Sequence, residues 1–167
     1  MNSAEYIDLL KKRYSYSFDV VERDHPLIDG YFLFLASYRV HGEKYMLTKR
    51  IKLYAIEEFE HCLVRKYGAE ITDQDITEMT EKITSSIELL VKPGPDHMRT
   101  YLTGVLIAEK GCALSVPDLV RKYRFQRSFK FGFEGWCEIR LVLIDLSTGT
   151  VVHHPREKRL GKFYHFQ

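Results

Sequence analysis

Residues 71–95 read ITDQDITEMTEKITSSIELLVKPGP, and the fold class turns on how this stretch is read. Apolar residues recur as Ile76, Met79, Ile83, Ile87, Leu90 and Val91, a 3.6-residue period that gives one buried stripe. Thr72 stands where an N-cap belongs, and Asp75 three residues on completes a capping box with Asp in place of Glu. Ile71 and Ile76 take the two positions of a hydrophobic staple. Lys92-Pro93-Gly94-Pro95 then ends the element. One long helix over residues 72–91 is the expectation, with Asp73, Glu78, Glu81 and Glu88 on its outer face.

Strand patterns lie on both sides of it. Upstream, a helix capped by Ser3 runs to about Tyr14 with Tyr6, Ile7, Leu10 and Tyr14 on one stripe. Short apolar runs at 18–23 and 31–40 follow, and His41-Gly42-Glu43-Lys44 reads as a turn. From Tyr45 the residues alternate to Ala55, Glu57-Glu58 interrupts, and 59–67 resumes, so an antiparallel meander is expected. Downstream, 98–109 is apolar on both faces and reads as a central strand. Ser115 and Asp118 cap a short helix to about Tyr123, with Pro117 in its first turn. Phe125, Phe129, Phe131 and Phe133 then share a strand face with Arg127. Residues 136–146 form the next strand, and Ser147-Thr148-Gly149 turns into 150–154.

The expected fold is therefore α+β: a curved, mainly antiparallel sheet of six to eight strands. The long helix packs on one face, with short N-terminal and linking helices, and a parallel pair is admissible across 116–123. Residues 1–167 form a single domain in this reading, with 155–167 a tail loosely attached until Phe163 and Tyr164 dock.

The composition is 45% apolar, 29% charged and 13% aromatic, which excludes a disordered or low-complexity chain. The net charge of +2 is unevenly spread: residues 57–96 carry a net −6 and residues 121–167 a net +6. Such segregation favours self-association or an acidic partner. Cys62, Cys112 and Cys137 form no CxxC pair and imply no disulfide framework. The N-terminus lacks a secretory apolar region, and 31–38 is too short to span a bilayer. A reduced, cytoplasmic setting away from the membrane is expected.

Catalytic motifs are scarce. The order helix, strands, long helix, strand resembles the core of the PD-(D/E)xK nucleases, whose chemistry needs an acid two residues before a lysine. The residue two before each lysine here is Leu, Gly, Arg, Val, Thr, Ala or Ser, so that resemblance fails at its motif. GxGxxG, Walker A, HExxH and GxSxG are all absent, and no cofactor is expected. His153 and His154 point to opposite faces of a strand and cannot readily share an ion, so no metal site is assigned. Asp24, His25 and Asp29 crowd one loop beside Pro26 and Gly30 and are the candidates for metal-dependent or acid–base chemistry.

Residues 121–133 interleave basic and aromatic side chains, a pattern able to neutralise phosphates and stack bases. Arg121, Lys122, Arg124, Arg127 and Lys130 are the candidate nucleic-acid contacts. Against this, Arg124, Gln126, Ser128 and Lys130 lie opposite the Phe residues, whereas a nucleic-acid sheet keeps stacking and charge together. Lys130-Phe131-Gly132-Phe133 resembles a fragment of the RNA-recognition motif, but Glu134 occupies an apolar position of that motif.

The stretches 44–57, 88–93, 97–107 and 125–146 together resemble a small family of bacterial proteins of similar length, a domain of unknown function. That resemblance implies a bacterial cytoplasmic setting and carries no catalytic residue. The leading expectation is a non-catalytic binding or assembly module, with a homodimer as the candidate assembly. Nucleic-acid binding is the first alternative, and chemistry at Asp24, His25 and Asp29 the second.

Overall fold

The computed structural model describes residues 1–45 and 52–166, the side chains of 43–45 and 52–55 excepted. Elements run in the order α1 (Ser3–Tyr14), β1 (Asp19–Val21), β2 (Phe34–Tyr45), β3 (Lys52–Tyr67), α2 (Asp73–Ser85), α3 (Ile87–Leu90) and β4 (His97–Ala108). They continue with α4 (Val116–Lys122), β5 (Phe125–Ser128), β6 (Trp136–Asp145), β7 (Thr150–His153) and α5 (Lys158–Tyr164).

One seven-stranded sheet has the order β1-β2-β3-β4-β6-β5, and β7 also pairs with β6. The outer edge of β6 is shared: β5 pairs with Trp136–Ile139 and β7 with Val142–Asp145. The antiparallel meander expected ahead of the long helix is present as β1, β2 and β3, and β5 and β7 also pair antiparallel with β6, so the sheet is mostly antiparallel, but its centre is not. Strands β3, β4 and β6 run parallel, from Glu57↔His97 to Tyr67↔Ala108 and from Arg99↔Trp136 to Ala108↔Asp145. The cause is the crossovers: α2 and α3 return the chain to the start of the sheet, and α4 with β5 does so again, so that β4 and β6 are the parallel pair admitted across 116–123. The result is mixed α/β.

Both faces of the parallel strands are covered. On one face α2, α3 and α4 bury Met79, Ile83, Ile87 and Val120 on Leu63, Leu102, Leu106 and Leu141. On the other, α1 and α5 bury Tyr6, Leu10, Tyr14, Leu160 and Tyr164 on Cys62, Val64, Val105, Ile107, Val142 and Ile144. The residues expected to dock the tail, Phe163 and Tyr164, do dock: Tyr164 is 1% exposed and its backbone carbonyl accepts the Tyr6 hydroxyl at 2.7 Å. Gly104 lets α2 approach β4 closely, since a Cβ there would stand 2.5 Å from Ile83 Cδ1 and 2.9 Å from Leu141 Cδ2.

Several local expectations need correction. The single helix over 72–91 is two, because Ser86 ends α2 and starts α3. Thr84, Ser85 and Ser86 each donate a hydroxyl to a carbonyl three or four residues back, three consecutive bonds that compete with the backbone ladder at the junction. The capping box is present: the Asp75 carboxylate accepts from the Thr72 N–H and hydroxyl, each at 2.8 Å. Asn2, not Ser3, caps α1, accepting from Glu5 N at 2.9 Å. His41–Lys44 continues β2 rather than turning, and Glu57-Glu58, expected to interrupt a strand, lies within β3 but marks a shift in its register with β4. The alternation expected over 45–55 falls largely outside the described residues. No helix among the described residues is long and apolar enough to cross a membrane.

Candidate functional site

The face that α1 and α5 cover is apolar over only half its length. Reading inward-facing positions along the parallel strands gives Glu58, Glu60, Cys62 and Val64 on β3, and Arg99, Tyr101, Thr103, Val105 and Ile107 on β4. Strand β6 gives Glu138, Arg140, Val142 and Ile144. Register places Glu58 beside Arg99, Glu60 beside Tyr101, and Thr103 beside Arg140. The helices rest on the apolar half, and the polar half is left as the floor of a cleft of about 550 Å³. Phe18, Tyr38, Val40, Phe163 and Leu160 form its walls, and Arg159 on α5 stands at its mouth. Phe18 and Tyr38 pack at 5.4 Å between ring centroids, holding β1 and β2 as one wall.

Arg140 organises the floor. Its side chain is 10% exposed and donates to Glu60 at 2.6 Å, to Glu157 at 3.0 Å and to Thr103 Oγ1 at 3.1 Å. Burial opposes the charge on Arg140, yet the two carboxylates outweigh it and raise its pKa. Tyr101 lies under the guanidinium, 4.0 Å from ring centroid to Cζ, with Arg99 at 5.2 Å. Arg99 in turn donates to Glu58 at 2.9 Å and to the Tyr101 hydroxyl at 3.2 Å. Behind the floor, the Tyr14 and Tyr164 hydroxyls meet at 2.5 Å, and Tyr164 donates to Cys62 Sγ at 3.8 Å. Burial pushes the Cys62 thiol up to about 12 and both tyrosines well above their usual value. None of the three is primed as a nucleophile at neutral pH.

The residues singled out from sequence lie elsewhere. Asp24 and Asp29 are exposed and His25 half-buried, in the loop between β1 and β2. Asp24 adopts φ 55°, His25 Nδ1 accepts from Leu27 N at 3.2 Å, and Asp29 accepts from Tyr31 N at 3.3 Å. Their polar atoms shape the turn. No group of three His, Cys, Asp or Glu among the described residues is arranged to hold a metal ion.

Of the basic candidates, Arg121 pairs with Asp118 at 3.1 Å, Arg127 with Glu88 at 3.5 Å and Lys130 with Glu134 at 2.5 Å. Lys122 and Arg124 are exposed. The shared Phe face expected over 125–133 ends at Ser128, because Lys130, Phe131 and Gly132 turn with φ of 44°, 55° and 93°. Phe125 and Phe129 stay half-buried, while Phe131 and Phe133 stand in solvent at the turn.

His61, on the helix-covered face opposite the cleft, is the one histidine whose titration is strongly displaced. Its Nδ1 hydrogen-bonds Ser37 Oγ at 2.7 Å, and burial, aided by the electrostatic influence of His25 and Lys92, lowers its pKa to about 4. Between about pH 6.5 and 4 the unfolded chain binds a proton that the folded chain refuses, so stability falls as pH falls through that window. His61→Gln keeps an acceptor for Ser37 and cannot titrate. Urea unfolding is expected to show wild type losing about 2 kcal/mol more than His61→Gln between pH 7 and pH 4.5. Equal losses in the two proteins would refute this assignment.

Glu58, Glu60, Arg99, Arg140, Glu157 and Arg159 were not among the residues singled out from sequence. Arg99 and Arg140 carried a signal in the period-2 polar runs that open β4 and β6, strands whose later residues are apolar on both faces; Glu157 and Arg159, off the strands, carried none. No curated protein and no solved structure matches the chain. A family model does match over residues 2–166, nearly end to end, so the chain belongs to the family described as Domain of unknown function (DUF8052).

Proposed function

We propose that the protein is a non-catalytic binding module whose ligand is a small, ring-bearing organic molecule held in the cleft over β3, β4 and β6. The observation that carries this reading is the half-covered sheet face. Its floor is polar and hydrogen-bonded, its walls are aromatic, and its volume of about 550 Å³ lies in the range of small-molecule sites. The chemistry of the floor favours binding over turnover. The carboxylates are tied to Arg99 and Arg140, and the Cys62 thiol is held protonated. Nucleic-acid binding at 121–133 has less support, since three of its five cations already pair with Asp118, Glu88 and Glu134.

Thermal-shift and calorimetric titration against a panel of ring-bearing metabolites tests the reading, with Val40→Trp as the blocked control. Val40 is 41% exposed at the cleft wall, so the larger side chain fills space without disturbing the core. A ligand at 100 times its Kd adds about 2.7 kcal/mol of apparent stability to wild type. The expected result is that shift in wild type, its loss in Val40→Trp, and recovery of the ligand unchanged. Conversion of the ligand would overturn the non-catalytic reading, and binding that survives Val40→Trp would overturn the site.

A further inference from the structure

We infer that the cleft selects a mono-anionic organic acid, a carboxylate carried on a ring-bearing body, over neutral analogues and over phosphate esters. The inference rests on the binding reading above and adds the ligand's charge to it. Six charged side chains line the cleft, and they are not equivalent. Arg140 lies between Glu60 and Glu157, a triad with one negative charge in excess. Arg99 and Glu58 neutralise each other at 2.9 Å, with Arg99 keeping a third of its side chain exposed. Arg159 lines the same cleft, is exposed, and has no ion pair among the described residues.

The surplus positive charge therefore sits at the mouth, on α5, and the surplus negative charge sits in the floor. A single carboxylate matches this order. It can take the Arg159 guanidinium in a bidentate contact, with the exposed edge of Arg99 as a further donor. Its apolar body then faces Phe18, Tyr38 and Phe163. A phosphate ester brings a second negative charge toward three carboxylates and is disfavoured by them. A neutral amide keeps the wall contacts and gives up the charge-assisted one. A cationic ligand could use the triad, but Arg159 and Arg99 flank its way in.

The test compares phenylacetate, phenylacetamide and phenyl phosphate by calorimetry on the full chain, in wild type and Arg159→Gln. Phenylacetate is expected to bind about tenfold more tightly than either analogue, the size of one charge-assisted contact. Arg159→Gln is expected to erase that preference while leaving the amide's affinity unchanged. Arg159 is exposed, so an unaltered melting temperature verifies that the variant is folded. Equal affinity for acid and amide, tighter binding of phenyl phosphate, or an acid preference that survives Arg159→Gln overturns the charge assignment. Those outcomes leave ligand binding in the cleft standing. If none of the three probes binds, the inference also falls, and the blocked control with the wider panel decides separately whether the cleft binds at all.

Discussion

Replacing Gly135 by alanine is expected to lower stability by about 4 kcal/mol and the melting temperature by on the order of 10 °C. Gly135 closes the turn between β5 and β6 with φ +78°, in the left-handed region that an L side chain enters at a cost of about 1–2 kcal/mol. The larger part of the penalty is steric. A Cβ at this position would lie 2.5 Å from the carbonyl oxygens of both His97 and Met98, and 2.6 Å from His97 Nδ1. These atoms belong to the start of β4, which pairs with β6 immediately beyond. His97 cannot yield freely, because its two ring nitrogens are committed to Glu134 O at 2.7 Å and Thr100 Oγ1 at 2.8 Å. Relief therefore means opening the β4–β6 pairing beside Arg99, at the edge of the cleft. Gly132, with φ +93° in the same turn and nothing within 4 Å of its Cβ position, is the control. Gly132→Ala carries the backbone cost alone, about 1–2 kcal/mol. Denaturant unfolding of the two variants separates the contributions. Equal losses would show that φ, not the contact with β4, sets the cost.

How much of this was legible beforehand depended on whether the signal was local. The capping box of Thr72 and Asp75, the stripe Tyr6, Leu10 and Tyr14, and the two-faced β4 are local, and each stands in the structure as read. Strand direction is not local. Nothing in 98–109 taken alone distinguishes a parallel neighbour from an antiparallel one, and the α2–α3 crossover makes it parallel. The break at Ser86 was not legible, because the apolar period runs straight through it and the hydroxyl back-bonds of Thr84, Ser85 and Ser86 are of the kind Thr77 and Thr80 make within unbroken α2. The cleft was the least legible feature. Glu60, Arg140 and Glu157 are separated by 80 and 17 residues, and each alone reads as an ordinary solvated charge. Only the register that puts Thr103 beside Arg140, and Tyr101 beside Glu60, turns three scattered residues into one floor.

Arg140→Met is the second substitution with a large expected effect, a loss of about 3–5 kcal/mol, because it preserves volume and removes the charge. Glu60 and Glu157, each about one-quarter exposed, would then face one another across an apolar side chain. Thr103 Oγ1 would lose the donors it now accepts at 3.1 and 3.3 Å. Neutralising the stranded carboxylates should repair the damage. Adding Glu60→Gln and Glu157→Gln to Arg140→Met removes both stranded charges and should restore most of the loss, since a buried ion network is often no more stabilising than a neutral replacement. Glu157→Gln alone leaves the shorter Glu60 contact of 2.6 Å intact and should cost no more than about 1–2 kcal/mol. Unfolding at low and high salt supplies the second readout. Exposed pairs such as Arg121 with Asp118 weaken as salt screens them, whereas a guanidinium 10% exposed should be nearly indifferent. If Arg140→Met cost less than about 1 kcal/mol and the remaining deficit vanished in salt, water would have full access to the triad. The floor would then be a hydrated surface rather than a fixed one. It could no longer hold Tyr101 at 4.0 Å beneath the guanidinium, and the ordered charge on which the cleft's selectivity depends would be gone.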